Sequence, residues 1–404
     1  MGRRIIMKES KEKIIGQAEG AVLHTYNRYP VVLDHGEGVC LYDAEGKRYL
    51  DFAAGIAVQA LGYHYPGYDE ALKEQIDRLL HTSNLYYNEP AAEAAEKLVK
   101  MSGMSRVFFT NSGTEAVEGA IKAAKKYAWL KDERTDHEVI AMRHSFHGRS
   151  VGALSVTGNE AYQTPFLPLM GGVRFADYND LESVKEQFNE RTCAVILETV
   201  QGEGGVVPAE ADFLEGVRKL CTEHDVLLIL DEIQCGMGRC GALFAWQKYG
   251  VEPDIMTCAK ALGCGVPVGA FLLNEKTASA SLAPGDHGTT YGGNPFVCAA
   301  VSKVLDIYEQ DKIAEHAQQI SVYMEKKLDD LAERFDCIRE RRGMGLLQGL
   351  VIEGRPVNEI VLKSLEEGLI VITAGKNVLR LAPPLIITEA DVDEMTEKLE
   401  RALR

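Results

Sequence analysis

Between about residue 105 and residue 300 the chain alternates short, continuously apolar runs with longer stretches whose apolar residues recur every three and four positions. The runs are Val107 to Phe109, Val139 to Met142, Cys193 to Leu197, Val226 to Leu230, Ile255 to Ala259 and Val268 to Leu273. Stretches such as EAVEGAIKAAKKYA and ADFLEGVRKLCTEH carry the helical spacing. Runs without polar alternation predict strands covered on both faces, so the pattern predicts a parallel sheet sandwiched between helices. Outside this stretch the pattern changes. GVCLYDAEGKRYLDF reads as a hairpin around the turn Asp43-Ala44-Glu45-Gly46. After Pro295 a long amphipathic pattern runs toward Arg334, followed by short strands and helices ending in EADVDEMTEKLERALR. The expected class is α/β, a central unit flanked by two α+β pieces.

Two of the predicted strands end in charges of opposite sign: one in Asp231, the other in Lys260. An unpaired carboxylate or ammonium inside a packed domain costs several kcal/mol, so each needs a partner. A ligand with a ring nitrogen for the acid and an aldehyde for the amine satisfies both. Pyridoxal phosphate is such a molecule.

Bulk properties narrow the partners. A net charge of −16 opposes binding to nucleic acid or to an anionic membrane surface, and no apolar run reaches the length of a membrane span. The nine cysteines are scattered, without the paired short spacings of a zinc site, and read as reduced thiols of a cytoplasmic protein. The opening MGRRIIMKESKEK has no apolar segment after its basic residues, so it is not read as a signal peptide, and translation starts at Met1 or Met7.

Four further segments carry candidate chemistry. In VFFTNSGTEAVEGA, Ser112, Gly113 and Thr114 stand where a strand gives way to a helix, a place for an anion or for ordinary capping. HSFHGR offers Phe146 to stack on an aromatic ligand and Arg149 to grip a carboxylate. His144 and His147 lack a third ligand, and no metal is expected. LETVQGEGG supplies Glu198 and Glu203, and LDEIQCGMGRCG supplies Asp231, Glu232 and Gln234. Paired carboxylates suit a glycosidase, but no sugar-binding aromatic cluster accompanies them. Thr289 and Thr290 in HGTTYGGNP are hydroxyl donors or plain turn residues.

Together these segments resemble the class III aminotransferases of fold type I, over nearly the whole chain. LDEIQCGMGR, PDIMTCAKALGCGVPVGA and HGTTYGGNP carry the resemblance, and HTSNLYYNEP with FHGR points to the acetylornithine branch. The resemblance implies a large cofactor domain over residues 66–300 with a mostly parallel sheet. It also implies a smaller α+β domain built from residues 1–65 and 301–404. It implies pyridoxal 5'-phosphate held covalently by Lys260, with Asp231 at the ring nitrogen and Phe146 on the ring face. Gln234 would lie near the phenolic oxygen. Ser112, Gly113 and Thr114 would hold the phosphate, with Thr290 of a neighbouring subunit in a homodimer. Arg149, aided by Thr289, would take one substrate's α-carboxylate. Arg380 would take that of glutamate, with Glu203 as its alternative partner.

The implied reaction moves the δ-amino group of N-acetylornithine to 2-oxoglutarate in arginine synthesis. Alternatives are succinylornithine, ornithine, 4-aminobutyrate or another ω-amino acid as donor, or a non-catalytic binding protein on the same fold. Three positions depart from the family pattern: Thr199 replaces a proline, Tyr63 a histidine and Thr289 a serine.

Overall fold

The computed structural model describes residues 10–404; the choice between Met1 and Met7 as the start lies outside them. Seven strands form the main sheet: β1 (Arg106–Thr110), β2 (Glu138–Met142), β3 (Val173–Ala176), β4 (Thr192–Glu198), β5 (Leu227–Asp231), β6 (Ile255–Cys258) and β7 (Gly269–Leu273). Their order is β1-β7-β6-β5-β4-β2-β3. β2, β4, β5 and β6 are buried at every position, which is why they read as unbroken apolar runs. All six predicted strands are present. β3 was not predicted, and the sheet is mostly parallel, as expected. β7 runs antiparallel to both β6 and β1, while β6, β5, β4, β2 and β3 are parallel neighbours.

The helix Gly113–Asp132 packs across this sheet through Val117, Ala120, Ile121 and Ala124. Gly119 lets it come close, because a Cβ there would lie 2.2 Å from the Phe271 ring. Helix N-termini and strand C-termini meet along one edge of the sheet, where open α/β folds collect ligands.

The predicted hairpin is present as Cys40–Asp43 and Arg48–Asp51, extended on one side by Leu33–Glu37. Arg48–Asp51 also pairs in parallel with Leu369–Ile370, so both ends of the chain share one sheet. A second C-terminal sheet contains Ile338–Met344, Leu347–Ile352, Val378–Leu381 and Ile372–Ala374. The single amphipathic stretch expected from Pro295 to Arg334 is two helices, Pro295–Gln310 and Ile313–Arg334. Lys312, left-handed at φ 51°, breaks it.

After Asp51 the backbone makes an unusual left-handed turn, with positive φ at Ala54, Gly55, Ile56 and Ala57. The Asp51 carboxylate braces it by accepting from the backbone N–H groups of Ala53 and Ala54, and Tyr63 donates its hydroxyl to the same carboxylate at 2.9 Å. That bond gives the unexpected Tyr63 a structural purpose. All nine cysteines are free thiols; eight are buried, and Cys337, just before the strand Ile338–Met344, is partly exposed.

Candidate active site

The strand ladder brings the charged strand ends together. β5 lies between β4 and β6, with Asp231 in register with Glu198 on one side and Thr257 on the other. Asp231 is 2% exposed. Its carboxylate accepts from the backbone N–H of Ile233 at 3.0 Å and shares a 2.7 Å hydrogen bond with Nδ1 of His147. Burial opposes a charge on His147, but the hydrogen bond and the charges of Asp231 and Glu198 outweigh it, holding the imidazole above its ordinary pKa. The His147 Nε2 is buried without a partner among the described residues. In the sequence His147 carries no sign of this role; its spacing from His144 suggests only a metal pair without a third ligand. His144, on the exposed side of the loop with φ 63°, is not its partner.

Lys260 opens a short 3₁₀ turn, Lys260–Leu262, directly after β6, and sits at φ 45°. This left-handed conformation is costly for a long side chain and is typical of residues placed for function. Among the described residues its amine has no hydrogen-bond partner. Burial lowers its pKa, and Asp231 and Glu203 restore only part of that, so the amine is less basic than an ordinary lysine.

These groups face a cavity of about 440 Å³, a size suited to a small organic ligand. Val58, Ile233, Val266, Pro267 and Val268 supply its apolar lining, and Asp231, Glu198, Glu203, Gln234, Lys260 and Arg149 its polar groups. Ser112, Gly113 and Thr114 close one end. Ser112 caps the helix by accepting from the Glu115 N–H at 3.3 Å, and helix geometry leaves the first-turn N–H groups free for an anion. A Cβ on Gly113 would lie 2.8 Å from the Ile233 side chain, so the cradle fits glycine. The Thr114 hydroxyl is engaged with Ser150, Oγ to Oγ at 2.9 Å.

Arg380, on the strand Val378–Leu381, is 3% exposed and is not itself among the residues lining the cavity; it meets the cavity through Glu203 and Gln234, which are. It donates to Glu203 Oε1 at 2.5 Å and to Gln234 Oε1 at 2.9 Å, while Gln234 donates to the same Glu203 oxygen at 3.3 Å. Burial resists ionisation of Glu203, but Arg380 prevails and its pKa falls below the ordinary value. The Arg380 Nε remains buried and unpaired among the described residues.

The rim is looser. Arg149 is exposed, its guanidinium carbon 3.8 Å from the centre of the Tyr162 ring and 5.4 Å from that of Phe146. Tyr162 was not singled out in the sequence, and no motif marks it. Thr289 and Thr290 are not among the residues lining this cavity. The Thr289 hydroxyl accepts from the Gly292 N–H and from the Asn111 amide, and Thr290 is exposed. The other two departures are occupied in the chain's own structure. Thr199 donates to the buried Glu232 carboxylate at 2.5 Å, and Tyr63 holds Asp51.

The donor set fits pyridoxal phosphate: an unpartnered amine of lowered basicity, a buried carboxylate, an aromatic face and a helix N-terminus around one cavity. Comparison with known proteins agrees. The family model "Aminotransferase class-III" matches residues 22–403. The acetylornithine aminotransferase of Clostridium acetobutylicum is 47% identical over 384 residues, 95% of this chain and 99% of that one. The ornithine aminotransferase of Toxoplasma gondii, whose active site is partly occupied by pyridoxal phosphate, superposes with a TM-score of 0.93 at 31% identity, covering 98% and 94% of the two chains. The acetylornithine aminotransferase of Elizabethkingia anophelis gives 0.88 at 32% identity, covering 98% and 99%. The paired strand ends, the helix-capped cavity and the Glu203–Arg380 bridge are therefore features of an enzyme, and the chain belongs to the class III aminotransferases.

Proposed function

We propose that this aminotransferase uses pyridoxal 5'-phosphate to move the δ-amino group of N-acetylornithine to 2-oxoglutarate, forming N-acetylglutamate 5-semialdehyde and glutamate. When bound, the cofactor supplies an aldehyde carbon that exchanges amino groups and a ring that takes up the electron pair released at the substrate carbon. The chain's own groups do the rest. Lys260 holds the cofactor and, once displaced by the incoming amine, carries a proton from and back to the substrate carbon through its Nζ. Asp231 keeps the ring nitrogen protonated, and His147 holds Asp231 in place. Phe146 covers one ring face. The first turn of the helix at Ser112, Gly113 and Thr114 receives the phosphate.

Two unlike substrates must use this one cavity in turn. The observation that carries the reading is the Glu203–Arg380 bridge beside Lys260. With Glu203 bound, Arg380 presents no free charge to a donor with a distal amine; with Glu203 displaced, it grips the α-carboxylate of glutamate. Arg149 takes the α-carboxylate of the acylated donor at the rim. The names of the similar curated proteins favour acetylornithine over the other ω-amino donors.

The same reading includes a homodimer. Tyr87 is 107% exposed and Leu85 87%, and Tyr291 beside Thr290 is also exposed. Apolar groups so far from any core suit a second copy, which would bring Thr290 to the partner's phosphate site. No described helix is long and apolar enough to cross a membrane. With nine free thiols, the cytoplasm is the compartment we assign.

The test is the visible spectrum of the purified holoenzyme as each amine is added alone. N-acetylornithine is expected to bleach the cofactor band within seconds and 2-oxoglutarate to restore it, with ornithine and 4-aminobutyrate much slower. Faster bleaching by either of these moves the substrate, and the absence of a band after adding pyridoxal phosphate removes the cofactor reading.

A further inference from the structure

Glu198 lines the cavity and has no part in the reaction as described so far. It ends β4, is 5% exposed, and stands in register with Asp231. Its two carboxylate oxygens serve two different loops. Oε1 accepts from the backbone N–H of Phe146 at 2.9 Å, and Oε2 accepts from that of Gly202 at 3.1 Å. The first loop carries the side chain assigned to the ring face. The second carries Glu203, the alternative partner of Arg380.

The Gly202 turn has no slack. A Cβ at Gly202 would lie 2.0 Å from Gln234 Oε1, the atom that accepts from Arg380, and one at Gly204 would lie 2.6 Å from the His144 carbonyl. The Glu203 carbonyl in turn accepts from the Gly375 N–H at 2.9 Å. A shift of Gly202 therefore moves Glu203 against both Gln234 and Arg380. Gln201 adds a second tie between the loops by donating to the Arg143 carbonyl at 2.9 Å, but it reaches neither Phe146 nor Gly202. Loss of the Glu198 carboxylate would leave two backbone donors without their acceptor, the expensive way to break a hydrogen bond.

We propose that Glu198 is a positioning residue that registers the Glu203–Arg380 gate to the ring-stacking wall, by clamping Gly202 and Phe146 with one carboxylate. The proposal rests on the exchange of Arg380 partners described above. Its consequence is asymmetric. The donor half-reaction needs Glu203 seated on Arg380, whereas the glutamate half-reaction needs it displaced, so a loosened clamp harms the first and spares the second.

The test measures the two half-reactions separately, by single-turnover spectroscopy of the holoenzyme. Glu198→Gln keeps the shape and one acceptor oxygen but turns an N–H₂ toward one of the two backbone donors. From the size of a hydrogen bond to a charged group, the donor half-reaction is expected to slow by about 10- to 100-fold. The glutamate half-reaction should stay within about 3-fold, since its interactions with Arg380 are unaltered. Equal losses in both would overturn the proposal. Glu203→Gln is the control for the underlying reading. If it leaves the ratio of the two half-reactions unchanged, the partner exchange itself is wrong; if it shifts the ratio and Glu198→Gln does not, only the clamp is wrong. Hydrogen exchange on the unaltered holoenzyme decides the matter even if the variant does not fold. The Phe146 and Gly202 amides are expected to be strongly protected, and free exchange at either one excludes the clamp.

Discussion

The floor and the rim of the cavity are built on opposite principles. On the floor, Asp231 and Glu198 face each other across one rung of the β5–β4 ladder, and Lys260 follows β6, the next strand over. Their spacing is set by backbone hydrogen bonds, and each carboxylate finds its partners in the same chain. At the rim, Arg149 is held by stacking on Tyr162, an interaction worth about 0.5–1 kcal/mol at an exposed site. Thr290 lies on a loop whose neighbour Tyr291 faces solvent. On the proposed reading the difference separates two tasks: the sheet of one chain would fix the chemistry, and discrimination between amines would be left to groups that small changes can move.

If that division is right, damage to the floor should abolish turnover whatever the substrate. Lys260→Ala is expected to cost on the order of 10⁴-fold in kcat with every amine, because both the covalent hold and the proton carrier go. Stopped-flow transamination checks this, and a variant within 10-fold of the parent would break the comparison outright. The next effect is one of stability. Burial, reinforced by the charge of Asp231, pushes the Glu198 carboxyl up to about 7 from its ordinary value of 4.5, against the opposing effects of His147 and the two N–H donors. The folded state then binds its proton more tightly than the unfolded chain. The parent should lose stability relative to Glu198→Gln as pH rises from about 4.5 to about 7, by up to about 3 kcal/mol, and stay level above. Denaturant melts of the apo-protein at several pH values measure it, and a rising difference would mean that the fold favours the carboxylate.

Between floor and rim, Arg380→Ala is expected to lower kcat/KM for glutamate by about 10²-fold, the worth of a charged hydrogen-bonded contact, and to affect N-acetylornithine less. Equal losses would place Arg380 with the floor. The smallest effect belongs to the rim itself. Tyr162→Leu removes the ring beneath Arg149 and should raise KM for the acylated donor by about 3-fold with kcat unchanged. A drop in kcat for both substrates would show that the rim also shapes the chemistry.

How legible each region was follows from the same physics. β2, β4, β5 and β6 could be read because strands covered on both faces leave an apolar run, and the charge at the end of a run stands out. β3 could not. It lies at the sheet edge, half-buried, and Arg174 interrupts it to pair with Glu138 on β2. The reversed direction of β7 leaves no trace in hydrophobic spacing, since a buried strand looks alike from either end. The helix break at Lys312 uses neither glycine nor proline and so carries no turn signal. Among the site residues, Asp231 and Lys260 stand out as the charges at strand ends and Glu203 as a carboxylate on a glycine-rich turn, whereas Arg380 comes from the resemblance alone. The partnership of His147 with Asp231 spans 84 positions and becomes visible only when the ladder is assembled. The neighbours of Thr289 and Thr290 were illegible for another reason: neither threonine lines the cavity of its own chain, and Thr289 meets it only through Asn111, 178 positions away.

The distribution of thiols has a practical reach. Cys337 is the one cysteine that is not buried, and the strand it precedes belongs to the same sheet as the strand carrying Arg380. A maleimide dye should therefore attach there selectively in the native, unmutated protein. Its fluorescence would report in real time whether that sheet shifts when one amine replaces the other.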